Sequence, residues 1–410
     1  MFDLRLDVSV AYLGDSSLLR TAVACHGLVR YFIFLLRDFN IMMSKKYLSN
    51  PFAKTLLVAC LSLALGNQSA IACTRAMYVG PDNVVVTGRN MDWSENMDAN
   101  LWSIPRGTAH DGAAGKNSIK WVSKYGSVVA TAYDIAAADG MNEKGLVANT
   151  LYLANAQWGN VGSKPTLSVS LWAQYALDNF ATVAEAVIAL RAEPFRIGAP
   201  NLPNGAPASV HLSLSDPTGD SAIFEYLAGV LVIHHGKQFQ VMTNEPSYDN
   251  QLAINSYWTD VGGLNFLPGS FSPSDRFARA SFMVGALPTA ISKAYAPALP
   301  DQTLETQASL GVLGVMRAVS VPLGEGVPGK PNISTTLWRS VSDHKNKVYY
   351  FDSATSPSAF WVDLKQLDFA AGAGVKKLTM TGGKTYSGNA TALFANATLF
   401  KPLPVVLQQQ

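Results

Sequence analysis

A layered α+β fold is predicted for this chain by two features of its sequence. Strand-like and helix-like segments come in blocks rather than in strict alternation, which suits antiparallel sheets carrying helices better than a βαβ sheet. From Cys73 onward no Pro/Ser-rich linker, charge block or repeat divides the chain, so residues 73–410 read as one domain. With 410 residues, 48% of them hydrophobic, there is enough apolar material for a large core.

The elements follow in chain order. Residues 83–87 and 127–133 are short β-branched runs and read as strands. Residues 167–177 read as a helix, and so do 183–190, where Thr182 and Glu185 are spaced as a capping box and Pro194 supplies a stop. Between His211 and Thr243 the apolar runs are separated by Pro217-Thr218-Gly219-Asp220, Ala228-Gly229 and Gly236-Lys237, the punctuation of an antiparallel meander. Residues 275–286 read as a further helix, and 347–351 and 359–362 as strands flanking a turn.

Residues 44–72 have the three parts of a secretory signal: Lys45, Lys46 and Lys54, an apolar run over 55–66, and a polar end in which Ala70 and Ala72 form an A-x-A cleavage site. That run is well short of the roughly 20 residues a membrane span needs, so no stable span is expected after the leader is cut. A start at Met43, or equally Met42, makes residues 1–42 a mispredicted extension and 43–72 the signal peptide. The apolar patch 31–36, enclosed by Arg30 and Arg37, also fails as a span. The mature protein is therefore expected in the periplasm or secreted.

Charge and cysteine content narrow the function. The first 72 residues hold seven of the 31 Lys+Arg and four of the 29 Asp+Glu, leaving 24 against 25. A near-neutral chain offers no basic face for nucleic acid. Cys25 and Cys60 precede the cut, so the mature chain keeps Cys73 alone and has no intramolecular disulfide. A cysteine by itself most often reads as an inert buried thiol. Placed at a new N-terminus, it joins a thiol of pKa about 8.5 to an α-amine of about 7.7–8.0, and the amine can serve as the thiol's base. No catalytic histidine is then required, and the reading assigns no cofactor and no metal.

Cys73-Thr74-Arg75 followed by Gly88-Arg89-Asn90-Met91-Asp92-Trp93 resembles the opening of the choloylglycine hydrolase family, which includes bile salt hydrolases and penicillin V acylases. The likeness continues through Ala138-Asp139-Gly140-Met141-Asn142-Glu143-Lys144-Gly145-Leu146, Met242-Thr243-Asn244-Glu245-Pro246, and the run from Leu267 to Phe277 containing Ser272-Pro273-Ser274-Asp275-Arg276. The resemblance implies an αββα sandwich of the N-terminal-nucleophile hydrolases, commonly a homotetramer, acting on a small-molecule amide. It further implies roles at matching positions: Cys73 as nucleophile, Arg89 beside the sulfur favouring thiolate, and Asp92 accepting from the α-amine. Asn244 and the backbone N–H of Tyr152 would face the oxyanion, and Arg276 would complete the charged cluster.

One departure bears on substrate. Bile salt hydrolases typically carry Leu-Asn-Phe or Leu-Asn-Tyr where this chain has Leu151-Tyr152-Leu153. Trp93, Trp102, Trp158 and Trp172 are available as apolar pocket walls, in keeping with the penicillin V acylase-like members of Gram-negative bacteria. The leading expectation is an exported amidase for apolar acyl amides such as penicillin V or N-acyl homoserine lactones. Bile salt hydrolysis is the alternative within the family. A lipid-anchored binding protein acylated on Cys73 is the alternative outside it, although Ala70 stands where lipoprotein signals usually carry Leu.

Overall fold

The computed structural model describes residues 73–159, 162–262, 265–324 and 334–405. The extension and signal peptide expected at 1–42 and 43–72 lie outside the described residues. Two large sheets form. In spatial order the first runs Val241–Met242, Thr74–Val79, Val85–Trp93, Thr335–Asp343, Val348–Ser353, Phe360–Asp363 and Gly388–Asn389. The second runs Val230–His235, Ser221–Leu227, Val210–Ser215, Val147–Tyr152, Ala136–Asn142, Ser127–Ala132, Leu101–Ile104, Lys376–Leu378 and Ala395–Asn396.

The sheets lie face to face. Thr87 Oγ1 meets Ser215 Oγ at 2.9 Å, and Ser340 Oγ and Tyr349 OH of the first sheet donate to the Asp139 carboxylate of the second. Helices Pro273–Gly285 and Leu304–Ala318 pack on the first sheet, and helices Trp172–Asn179 and Val183–Arg191 on the second. The layers are therefore α, β, β, α, the expected sandwich.

The strand Val85–Trp93 is buried along its whole length because it is covered on both faces. Thr87 and Arg89 turn toward the second sheet, reaching Ser215 and Thr150. Gly88 and Asn90 face the helix Leu304–Ala318. A Cβ at Gly88 would fall 2.6 Å from Met316 and 2.7 Å from Val312, so only glycine lets that helix approach. Asn90 Nδ2 then donates to Met316 O at 2.9 Å.

Several elements differ from expectation. Asn83 closes a 3₁₀ turn, Pro81–Asn83, and the strand starts later and runs on to Trp93. The helix expected from 167 starts at Trp172, because Thr166–Ser168 pairs in parallel with Arg196–Gly198 and Ser168 caps a 3₁₀ turn, Val169–Leu171. Thr182 does cap Val183–Arg191, accepting from Glu185 N at 3.2 Å, but the Glu185 carboxylate takes the Ala181 N–H rather than closing the box on Thr182. The meander ends at His235. The last run expected within it, Val241–Met242, crosses to the other sheet and pairs with Thr74–Val79. Helices Tyr248–Val261 and Leu304–Ala318 and the central strand Thr335–Asp343 were not legible in the sequence pattern.

Candidate active site

Cys73 stands immediately before the strand Thr74–Val79, and both neighbours of that strand bring a candidate residue to it. On one side Arg75 pairs with Arg89, and Val85–Trp93 continues to Asp92. On the other, Arg75 pairs with Met242, which puts Asn244 two residues past the register point. Helix Pro273–Gly285, capped by Ser272 accepting from Asp275 N, brings Arg276 over the same edge. Tyr152 arrives from the second sheet at the end of Val147–Tyr152. All six expected residues thus converge.

Around the sulfur, charge and burial oppose one another. The Cys73 thiol is unpaired and 2% exposed, and its Sγ lies 3.6 Å from Asp92 O and 4.0 Å from Arg89 Nη2. Arg89 donates to Thr150 O at 2.9 Å, and its guanidinium lies 4.6 Å over the Trp338 ring. Its Nε and Nη1 have no hydrogen-bond partner. Burial pushes the thiol above its ordinary value, while Arg89 and Arg276 pull it down and Asp92 adds to the rise. Burial likewise pushes the Asp92 carboxyl up to about 6 against the pull of Arg276, whose Nη1 stands 3.8 Å from Oδ2.

The Cys73 nitrogen is not held by the Asp92 carboxylate. It is a peptide N–H and donates to Asn244 Oδ1 at 2.5 Å. That oxygen also accepts from Arg276 Nη2 at 3.0 Å, and Asn244 Nδ2 donates to Tyr152 O at 2.7 Å. Two donors on one atom and an acceptor on the other settle which way the carboxamide faces. An amide nitrogen carries two hydrogens, and Tyr152 O takes one. In an extended strand the N–H and C=O of one residue point to the same edge, so the Tyr152 N–H is on the side of Asn244. Arg276 also donates from Nη1 to Cys73 O at 2.6 Å and to Thr74 Oγ1, and from Nε to Phe271 O.

A cavity opens on Cys73, walled by Met91, Trp93, Met97, the start of the strand Ala136–Asn142, Tyr152 and Leu202. Trp93 and Tyr152 meet edge to face with centroids 6.0 Å apart. Of the four tryptophans expected in a pocket wall, only Trp93 is there. Trp102 packs on Phe400, and Trp158 and Trp172 form an aromatic cluster with Tyr226 in the layer between the second sheet and its helices. Trp338, Thr150 and Leu202 escaped the sequence reading. Each reaches the site through strand pairing or a distant loop, and none carries a local signal.

Among the described residues no group of three or more His, Cys, Asp or Glu side chains is arranged to hold a metal ion. The sequence model for linear amide C–N hydrolases, choloylglycine hydrolase family, matches residues 73–378. A penicillin V acylase of Pectobacterium atrosepticum is 43% identical over 360 residues, covering 84% of this chain and 95% of that protein. A bile salt hydrolase/transferase of Clostridium perfringens is 28% identical over 246 residues, 52% of this chain and 72% of that protein. The solved structure of penicillin V acylase from Agrobacterium tumefaciens superposes with a TM-score of 0.72 at 48% identity, over 81% of this chain and 100% of that one. The chain belongs to the choloylglycine hydrolase family of linear amide C–N hydrolases.

Proposed function

We propose that this hydrolase is exported, cut before Cys73, and uses the freed residue as an N-terminal nucleophile on linear amides with an apolar acyl group. Penicillin V and N-acyl homoserine lactones are the substrates of that class put forward. The observation that carries the reading is the cavity: its walls are mainly thioether, aromatic and aliphatic groups, with Arg89, Thr150 and Ser170 the polar side chains beside the Cys73 thiol.

In the reaction the freed α-amine takes the thiol proton and Sγ attacks the amide carbonyl. Arg89 favours the thiolate, which its 4.0 Å approach to sulfur supports. Negative charge developing on the carbonyl oxygen is met by the second Asn244 N–H and the Tyr152 N–H. The amine left by C–N cleavage recovers a proton from the α-ammonium. Water, activated by the same amine, then hydrolyses the thioester and releases the acid. Once the peptide before Cys73 is cut, the nitrogen gains hydrogens beyond the one now given to Asn244, and Asp92 is the buried carboxylate available to orient them. Arg276 holds Asn244, Cys73 O and Thr74 in register.

Relatives acting on penicillin V are more similar to this chain than the bile salt hydrolase/transferase is, and the apolar Tyr152-Leu153 pair supports the same ranking. The family resemblance further supports a homotetramer, and the leader read at residues 43–72 supports a place outside the cytoplasm. The test is a panel on one exported preparation, preceded by mass analysis of its N-terminus. A free Cys73 α-amine and higher kcat/KM for penicillin V and long-chain acyl homoserine lactones than for glycocholate are expected. Equal or better glycocholate turnover would reverse the ranking, and a lipidated Cys73 would end the amidase reading.

A further inference from the structure

We propose that Leu403, on a C-terminal strap pinned beside the active site, sets the length of acyl group that the cavity accepts. The inference rests on the amidase reading above and names its specificity-determining residue. The matched family segment ends at residue 378, whereas Leu403 contributes to the cavity wall together with Val169 and Ser170. The wall is thus completed by chain lying outside that segment.

The strap is fastened on both sides of Leu403. Upstream, the Ala397 N–H donates to Val375 O at 3.0 Å, and Phe400 is buried edge to face against Trp102 with centroids 5.6 Å apart. Downstream, the Val405 N–H donates to Ala113 O at 2.7 Å. The Val405 methyls lie so close over Gly198 that a Cβ there would fall 2.7 Å from Cγ2. Leu403 itself has both backbone groups engaged. Its N–H donates to Ile135 O at 3.0 Å, and its carbonyl accepts from Ser168 Oγ at 2.7 Å and Ser170 Oγ at 3.3 Å.

Pro402 and Pro404 flank it. Each fixes its own φ, and Pro404 restricts Leu403 to extended conformations. With the main chain held this way, the strap that carries the isobutyl group is a fixed wall rather than a flap. An acyl chain longer than the cavity meets it, and a shorter one leaves space unfilled. Either mismatch lowers the fraction of transition-state binding that the acyl group supplies.

The experiment compares processed wild-type protein with Leu403→Ala and Leu403→Trp across straight-chain N-acyl homoserine lactones from butanoyl to dodecanoyl, reading kcat/KM. Leu403→Ala should raise the dodecanoyl-to-hexanoyl ratio by at least about 10-fold, the usual discrimination for a methylene-sized change in an apolar pocket. Leu403→Trp should move the optimum the other way. Because the two variants act with opposite sign, a general loss of folding cannot imitate the result. A second readout is independent of turnover: calorimetric binding of straight-chain carboxylic acids to Cys73→Ala and to Cys73→Ala/Leu403→Ala, where the length optimum should lengthen in the double variant. Superimposable profiles in wild type and variants, in turnover or in acid binding, would overturn the role of Leu403. A shifted acid profile in a protein that cleaves no amide would leave that role standing and overturn the amidase reading instead.

Discussion

Asn244→Ala gives the most searching test of the site, because Asn244 joins the Cys73 nitrogen, Arg276 and the Tyr152 carbonyl in one buried bridge. On the proposed mechanism, removing the carboxamide costs one oxyanion donor and should lower kcat by roughly 10²- to 10³-fold. It also strands Arg276 Nη2 and Tyr152 O, each buried group without a partner costing about 1–3 kcal/mol. Against a domain stability of about 5–15 kcal/mol the fold should survive with a lower midpoint. Asn244→Asp separates the two effects. It keeps an acceptor for Arg276 and the amine but has no N–H to donate, so it should recover much of the stability and little of the kcat. The assay is steady-state hydrolysis of penicillin V beside urea unfolding of the same preparations. If Asn244→Ala raised KM and left kcat within about threefold of wild type, Asn244 would be a binding residue and the oxyanion assignment would fail. If Asn244→Asp restored kcat, the acceptor rather than the donor would carry the chemistry.

Other outcomes are equally open to measurement. Cys73→Ala should abolish amide turnover while changing the thermal midpoint little, since the lost atom borders a cavity; retained activity would show that the nucleophile lies elsewhere. The Asp92 carboxyl, held at about 6 in the folded chain against about 3.9 unfolded, keeps a proton that the unfolded chain releases. Stability should therefore fall as pH rises from about 4 to 6, by an upper bound of about 3 kcal/mol from this group. Asp92→Asn should flatten that slope in paired urea melts, and an unchanged slope would refute the assignment. Arg89→Leu removes the larger of the two cationic pulls on the Cys73 thiol, so the pH at which iodoacetamide alkylates Cys73 should move upward; no movement would remove Arg89 from thiolate stabilisation.

The amino-acid sequence alone put forward the candidate chemistry-bearing residues and their order. Cys73 was conspicuous because it follows an A-x-A site, and Arg89, Asp92, Asn244 and Arg276 because they sit in motifs with a recognisable sequence. It also determined the meander, whose turns are marked by Gly and Pro, and the capped helix Val183–Arg191, because turn and cap signals act over a few residues. Tertiary structure alone decided what those residues meet. Val241–Met242 looks like one more meander strand, yet it leaves for the other sheet and so delivers Asn244 to Cys73. Trp93 and Trp172 are equally aromatic in sequence, but one lines the cavity and the other is core, since the choice depends on which layer lies across from it. Trp338 reaches Arg89 only because Thr335–Asp343 pairs with Val85–Trp93, and Leu403 reaches the cavity from the far end of the chain. Burial, which lifts Cys73 and Asp92 from their ordinary pKa values, is likewise a property of both sheets together. Contacts of this kind are made between residues tens to hundreds of positions apart, where no local periodicity records them.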